Sequence, residues 1–504
     1  MSGLPDIDGE VKDDAVFPKE KHGQASFHSD EEEGVIDKAI ERHLLMKLDL
    51  WIVSWMTLFY LLSFLDRSNI GNARVAGLQA DLGLTDYQYQ LAITFTYVPY
   101  IISELPSNLL LKIVGPQILL PAIVTIWGIV TMCQGFVHNL GTLIVCRVLL
   151  GFFEGGLLPG IILYTSTFYK RAELQWRVGL IFSATSLAGA FGGLLAAAIQ
   201  QMNGDKGTRG WSWIFIIEGT VTALFGIVSF FVLPRSPATA SFLTPQEQIV
   251  LLARLRSDKP ETRAVGYEEE HFDWAQVKRA LLNTPQLWIL GLGLFGNGMT
   301  LFGLAYFLPS IVGAFGYSST KTQLMTVPPY AVAFVVTMTV SFFSDKYKMR
   351  GPVIISMNAL ALIGFGLFYA NKNTQVSYLG VFFAVTGVYC SAPSFCTWIP
   401  NNSAPHYRRA SLLAISLIVT NAGGIASTWL FPTSAAPRYK GGIIADLVCA
   451  AVPMICGVIN MSFISWGTKK KQERRGEILA PYGGDEKRAW RELGDNHPDF
   501  KWLL

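Results

Sequence analysis

The sequence predicts an all-α membrane protein with twelve transmembrane helices in two six-helix lobes. Three observations carry that expectation. Apolar residues are gathered into blocks of roughly 20 residues, the length that crosses a ~30 Å hydrocarbon core as a helix. One long charged break, 235–284, divides the blocks six and six. Lysine and arginine collect in alternate loops, as they do on the cytoplasmic side of a membrane. The totals agree: 504 residues, 51% hydrophobic and only 15% charged, with a mean hydropathy of +0.36. That is too apolar for a soluble chain of this size. A net charge of +3 gives no argument for a nucleic-acid partner.

In chain order, residues 1–47 are polar and acidic (Ser29-Asp30-Glu31-Glu32-Glu33) and read as a disordered cytoplasmic tail, with no signal peptide. The blocks follow at 48–73, 90–112, 117–137, 140–166, 177–202 and 211–234, forming the amino-terminal lobe (48–234). The linker 235–284 carries Thr244-Pro245-Gln246-Glu247, whose spacing predicts a capping box and a short helix. The second lobe (285–466) holds blocks at 285–308, 322–344, 352–370, 376–400, 410–431 and 442–466, and a charged tail, 467–504, ends the chain. Lys170, Arg171 and Arg177, then Lys346, Lys348 and Arg350, then Arg408 and Arg409, and finally Lys469–Lys471 mark one side, which places both termini in the cytoplasm. All six cysteines lie in apolar blocks, so neither a disulfide framework nor a metal site is expected.

Ionisable residues are unevenly placed. The first-lobe spans hold Asp66, Arg67, Glu104, Arg147, Glu154 and Glu218, whereas the second-lobe spans hold only Asp446. A charge in hydrocarbon costs at least a few kcal/mol, so such groups face a protein interior or a watery cavity. In CRVLLGFFEGGLLPG, Arg147 and Glu154 are seven residues apart, about two turns, and share a face roughly 10 Å apart along the axis. Gly151, Gly155 and Gly156 let another backbone approach.

This run has two readings: a static ion pair locking two helices, or an anion site with a proton carrier beside it. The concentration of charge in one lobe favours the second. At 1.5 Å per residue, Asp66 lies ~27 Å into the first helix and Arg147 ~10 Å below the opposite surface. Their levels then differ by roughly 7 Å in a ~30 Å core, so Asp66 or Arg67 is expected to meet Arg147. Two arginines with one acid leave positive charge for an organic anion, and a guanidinium grips a carboxylate by two parallel hydrogen bonds. None of the seven histidines is deep in a span, which leaves Asp66 and Glu154 as proton carriers. Glu104, between two prolines, reads as a structural acceptor, and Glu218 as a lobe-packing residue. Tyr97 and Asn421 are the candidate neutral contacts to substrate.

The segments YLLSFLDRSNIGNARVAGL, YIISELPSNLLLK, RVLLGFFEGGLLPG, GWSWIFIIEG and SDKYKMRGP together resemble the major facilitator superfamily, and within it the fungal allantoate-permease-like group of the anion:cation symporters. The likeness runs over 45–467. It implies a transporter, not an enzyme, moving nicotinate, allantoate, pantothenate or a related carboxylate with protons. It implies that Asp66, Arg67, Arg147 and Glu154 bind the carboxylate and carry the protons. Asp345, Lys346 and Arg350 match the superfamily's acidic-basic loop motif, a gating element; the corresponding loop after the second span, KIVGPQ, lacks its acid. The helix-five signature of proton antiporters is missing too, which favours symport.

The resulting expectation is a monomeric proton-coupled symporter of a small organic anion in a fungal plasma membrane, driven by the proton gradient without a cofactor. In it Arg67 binds the anion, and Arg147 holds Asp66 or Glu154 until protonation releases it. An exporter of an acidic secondary metabolite and a non-transporting anion sensor are the alternatives.

Overall fold

The computed structural model describes residues 38–257, 282, 284–371, 373–403, 406–483, 485–500 and 502–503. The expected tail up to residue 37 and most of the linker after Ser257 lie outside the described residues. Among the described residues every regular element is helical. Helix α1 (Lys38–Leu48) passes through a π turn, Asp49–Val53, into α2 (Ser54–Val75). The first span therefore starts earlier than its apolar block. Leu44, Leu48, Ile52 and Met56, four residues apart, form one fully buried stripe across the junction.

The remaining helices of the first lobe are α3 (Asp86–Val114), α4 (Pro116–Gln134), α5 (Leu140–Glu154), α6 (Leu157–Ser166), α7 (Arg171–Ile199) and α8 (Gly210–Val232). Helix α3 starts at a reciprocal capping box between Thr85 and Gln88 and ends at Gly115, where φ is 88° and Pro116 restarts the chain as α4. The expected fourth span, 140–166, is broken at Gly155–Gly156 into α5 and α6. In the linker, Thr244 and Glu247 cap α9 (Pro245–Ser257) in both directions, at 2.9 and 3.3 Å. Lys47 donates to Glu247 at 2.7 Å and helps hold that carboxyl down to about 2. Arg254 of α9 pairs with Glu41 at 2.7 Å and also with Glu173, docking α9 on α1 and α7.

The second lobe comprises α10 (Pro285–Gly313), α11 (Ser319–Tyr347), α12 (Gly351–Ala370), α13 (Thr374–Asn401), α14 (His406–Ser427) and α15 (Lys440–Glu473). Among the described residues, ten helical segments are long and apolar enough to cross a membrane, and α3 and α14 pack among them. Within the first half α2 packs on α7, α3 on α5, and α4 on α8; within the second, α10 packs on α14 and α15, and α12 on α13 and α15. The halves meet through α2 with α10, α7 with α11, and α3 with α14.

Glycine decides two of these contacts. A side chain at Gly151 would run into the Thr96 carbonyl, so α3 and α5 touch backbone to backbone. Gly71 lies in the same way against the Tyr306 carbonyl, joining α2 to α10 across the halves.

On the side remote from the chain ends the halves are bonded together. Gln323 Nε2 donates to the Asn72 carbonyl at 3.1 Å, Ser319 Oγ to the Val75 carbonyl at 3.0 Å, and Thr433 Oγ1 to Asp86 at 2.6 Å. Arg74 pairs with Asp86 at 3.2 Å beneath that last bond. On the opposite side the carboxy-terminal residues fold back on the second half. Leu503 N donates to Asn402 Oδ1 at 2.7 Å, and Trp398 Nε1 donates to the Leu503 carbonyl at 3.0 Å. Lys471 Nζ sits 3.5 Å from the Trp502 ring centroid, and Arg408 pairs with Asp495. Burial in this seam pushes the Asp495 carboxyl up to about 6 despite the guanidinium beside it.

Candidate functional site: a cavity between the halves

A cavity lies between the halves and is lined from both. Arg67, Ser63 and Tyr100 face it from the first half, and Asn297, Phe302 and Asn421 from the second. Tyr60, Leu157, Leu294 and Cys396 continue the lining toward the side of the chain ends. The far-side bonds close the other end.

Arg67 is the charged centre. Its Nη2 donates to Glu154 Oε1 at 2.7 Å, and Ser63 donates to the same oxygen. Arg67 is 5% exposed and Glu154 2%, so the pair is screened from bulk water and strong in both its attraction and its desolvation cost. The Arg67 guanidinium carbon lies 5.3 Å from the Phe64 ring centroid, 5.0 Å from Tyr100 and 5.4 Å from Phe302. These three faces hold a flat cation by its π surface. Arg67 Nε and Glu154 Oε2 have no hydrogen-bond partner, so both groups have unused capacity. Opposite them, Asn297 Nδ2 donates to Ser391 at 2.7 Å, and Asn421 also lines the cavity.

The arrangement corrects the expected pairing. Glu154 is held by Arg67, not by Arg147. Asp66 and Arg67 are consecutive on a helix, so they point about 100° apart. Arg67 faces the cavity, and Asp66 turns into the first half to accept from Trp127 Nε1 at 2.8 Å and Thr222 Oγ1 at 3.0 Å. Arg147, 1% exposed, is absent from the cavity lining and lies over the Phe215 ring at 5.7 Å; its Nε and Nη2 have no partner. The two arginines therefore do not share one pocket.

Other expected residues are placed as follows. Tyr97 is buried against Phe302 and Tyr306 at 5.4 and 6.2 Å between ring centroids and is not in the cavity lining; its ring also fills the space beside Gly424 of α14. Glu104, read as a structural acceptor, accepts nothing: both its oxygens are buried without a partner. Asp345, in the last turn of α11, forms an ion pair with Arg350 beyond the helix, and Arg350 also donates to Ser344 at 2.8 Å. Sequence reasoning missed Trp127, Thr222 and Asn69, which hold the buried acids. They carry no charge, and only their helical spacing from charged residues could have drawn notice.

The residues 56–428 match the model of the Major Facilitator Superfamily. The chain belongs to that superfamily. It is 36% identical to an uncharacterized transporter of Schizosaccharomyces pombe, over 87% of this chain and 86% of that one. It is 31% identical to the high-affinity nicotinic acid transporter of Saccharomyces cerevisiae, covering 92% and 85% of the two chains. Among solved structures, a bacterial homolog of the human lysosomal transporter Spinster, in an inward-facing and unoccupied conformation, superposes with a TM-score of 0.62. That match has 17% identity and covers 84% of this chain and 96% of the other. The proton:xylose symporter XylE superposes equally well, at 0.62 with 15% identity, over 82% and 96%. These likenesses give the twelve-helix fold. The superfamily member described here is accordingly a multi-pass membrane transporter, not an enzyme, and its substrates are small molecules.

Proposed function

We propose that this transporter carries a small organic anion, a carboxylate with a flat ring such as nicotinate, in symport with protons. The Arg67–Glu154 pair in the cavity supports the reading most directly. A substrate carboxylate and the Glu154 carboxylate compete for one guanidinium. Protonation of Glu154 removes its charge and frees Arg67 for the anion; loss of that proton restores the pair and expels the anion. Proton and substrate are thereby bound together or not at all. The Phe64, Tyr100 and Phe302 faces around Arg67 suit a planar ring, and the nicotinic acid transporter of yeast is a relative aligned over most of both chains.

In this scheme Asn421 contacts the ring from the second half, Asp66 is a further proton carrier, and Arg147 restrains it from within the first half. The transporter works as a monomer in the plasma membrane with both termini in the cytoplasm, so the cavity described above is the inward-facing one. The test is uptake by proteoliposomes of labelled nicotinate and a panel of other carboxylates under an imposed pH gradient. Accumulation that requires the gradient supports symport. Failure of every carboxylate to accumulate, with or without the gradient, overturns it.

A further inference from the structure

Behind the cavity, enclosed by α2, α4, α5 and α8, the first half holds a second group of buried polar residues that do not line the cavity. Glu218 of α8 is 4% exposed; one of its oxygens accepts from Asn69 Nδ2 and the other, Oε1, has no partner. Asp66 and Glu218 lie close enough for their charges to act on each other, as do Asp66 and Arg147. Asp66 Oδ1, Asn69 Oδ1, and Arg147 Nε and Nη2 are likewise without partners. Buried polar atoms are seldom left bare, and internal water is their usual partner where protein groups do not supply one.

Charge counting locates a proton. Glu154 also acts on Asp66, but Arg67 neutralises it, and the two carboxylates and one guanidinium that remain sum to zero only if one acid is protonated. Asp66 accepts two hydrogen bonds from neutral donors on one oxygen, which suits its ionised form, whereas Glu218 accepts one. The proton belongs on Glu218.

Building on the symport reading, we propose that Glu218 is a proton-storing acid that supplies Asp66 through a closed, water-filled chamber in the first lobe. The transfer breaks the O–H bond on Glu218, passes the proton along chamber water and forms an O–H bond on Asp66. The charge of the chamber is unchanged, while Arg147 loses its ionised partner and becomes free to reorient.

The test has a transport arm and a spectroscopic arm. Glu218→Gln keeps the shape and the acceptor for Asn69 but cannot give up a proton. Nicotinate counterflow, which needs no net proton movement, is expected within about twofold of wild type, while accumulation driven by a pH gradient falls at least tenfold. Unchanged accumulation overturns the proposal. The infrared arm requires no transported anion and so stands even if the symport reading fails. The wild-type minus E218Q spectrum at neutral pH is expected to contain a protonated-acid C=O stretch that shifts in deuterium oxide, and a carboxylate band in its place overturns the proposal. Should E218Q not fold, Asn69→Ala retains the acid: the same C=O band must persist, at higher frequency, and its absence overturns the proposal.

Discussion

Arg67 meets an acid and three aromatic faces at once, and the two kinds of contact exploit different properties of guanidinium. A lysine at this position keeps the charge but loses the flat π-stacking surface and the paired donors. Arg67→Lys is expected to lower kcat/KM for the transported anion at least about tenfold, about 1.4 kcal/mol, measured from initial uptake rates. Glu154→Gln has a different signature. With the competing carboxylate gone, Arg67 is permanently available. Exchange of labelled for unlabelled nicotinate should persist, and the stimulation of uptake by an acidic outside should disappear. A variant that keeps the wild-type pH dependence would show that Glu154 is not the proton carrier. The sequence made these charges legible because ionised groups are rare in apolar spans. It did not show which way each side chain turns. Asp66 and Arg67 are adjacent in the chain and serve different compartments, and only the packing of α4 and α8 against α2 separates them.

At the scale of elements, the α3–α5 contact sets where Glu154 stands. Gly151 brings the two backbones together one turn before Glu154, so a methyl group there must push the helices apart. Gly151→Ala is expected to destabilise the protein by about 1–3 kcal/mol, the usual range for overpacking, and to lower the thermal midpoint in detergent. Uptake should fall by more than the loss of folded protein accounts for, because Glu154 shifts relative to Arg67. The spans themselves were readable from one-dimensional runs of apolar residues. Their ends were less so. The π turn at Asp49–Val53 and the buried stripe leading into it extend the first helix back to Lys38; the depth count from residue 48 still brought Asp66 within reach of Arg147's charge, while Arg67 turns to Glu154 instead.

For the whole molecule, alternation between two open states requires the far-side bonds to break and the other side to close. Gly71→Ala inserts a side chain against the Tyr306 carbonyl and penalises only the state in which that side is shut. Spin labels on the far ends of α2 and α11 should therefore move apart, with a larger share of the long-distance population than in wild type. The docked carboxy-terminal residues make a separate prediction about pH. Asp495 is held at about 6, above the ordinary carboxylate value, so its docked form favours the proton. Docking is then tightest below about 4, weakens as pH rises through about 6, and loses this dependence in Asp495→Asn. Limited proteolysis of the segment after Lys471 across that range measures it. The sequence presented this stretch only as a charged tail, because its anchors find partners far back in the chain: Leu503 at Asn402, Asp495 at Arg408, and Trp502 at Phe463 and Lys471.

The anchoring of Leu503 has a practical side. Its amide and carbonyl are both engaged by α13, the helix that supplies Pro393 and Cys396 to the cavity wall. A fluorescent reporter fused directly behind the last residue would pull on that wall, so a label intended to leave transport undisturbed belongs at the other end of the polypeptide or behind a long spacer.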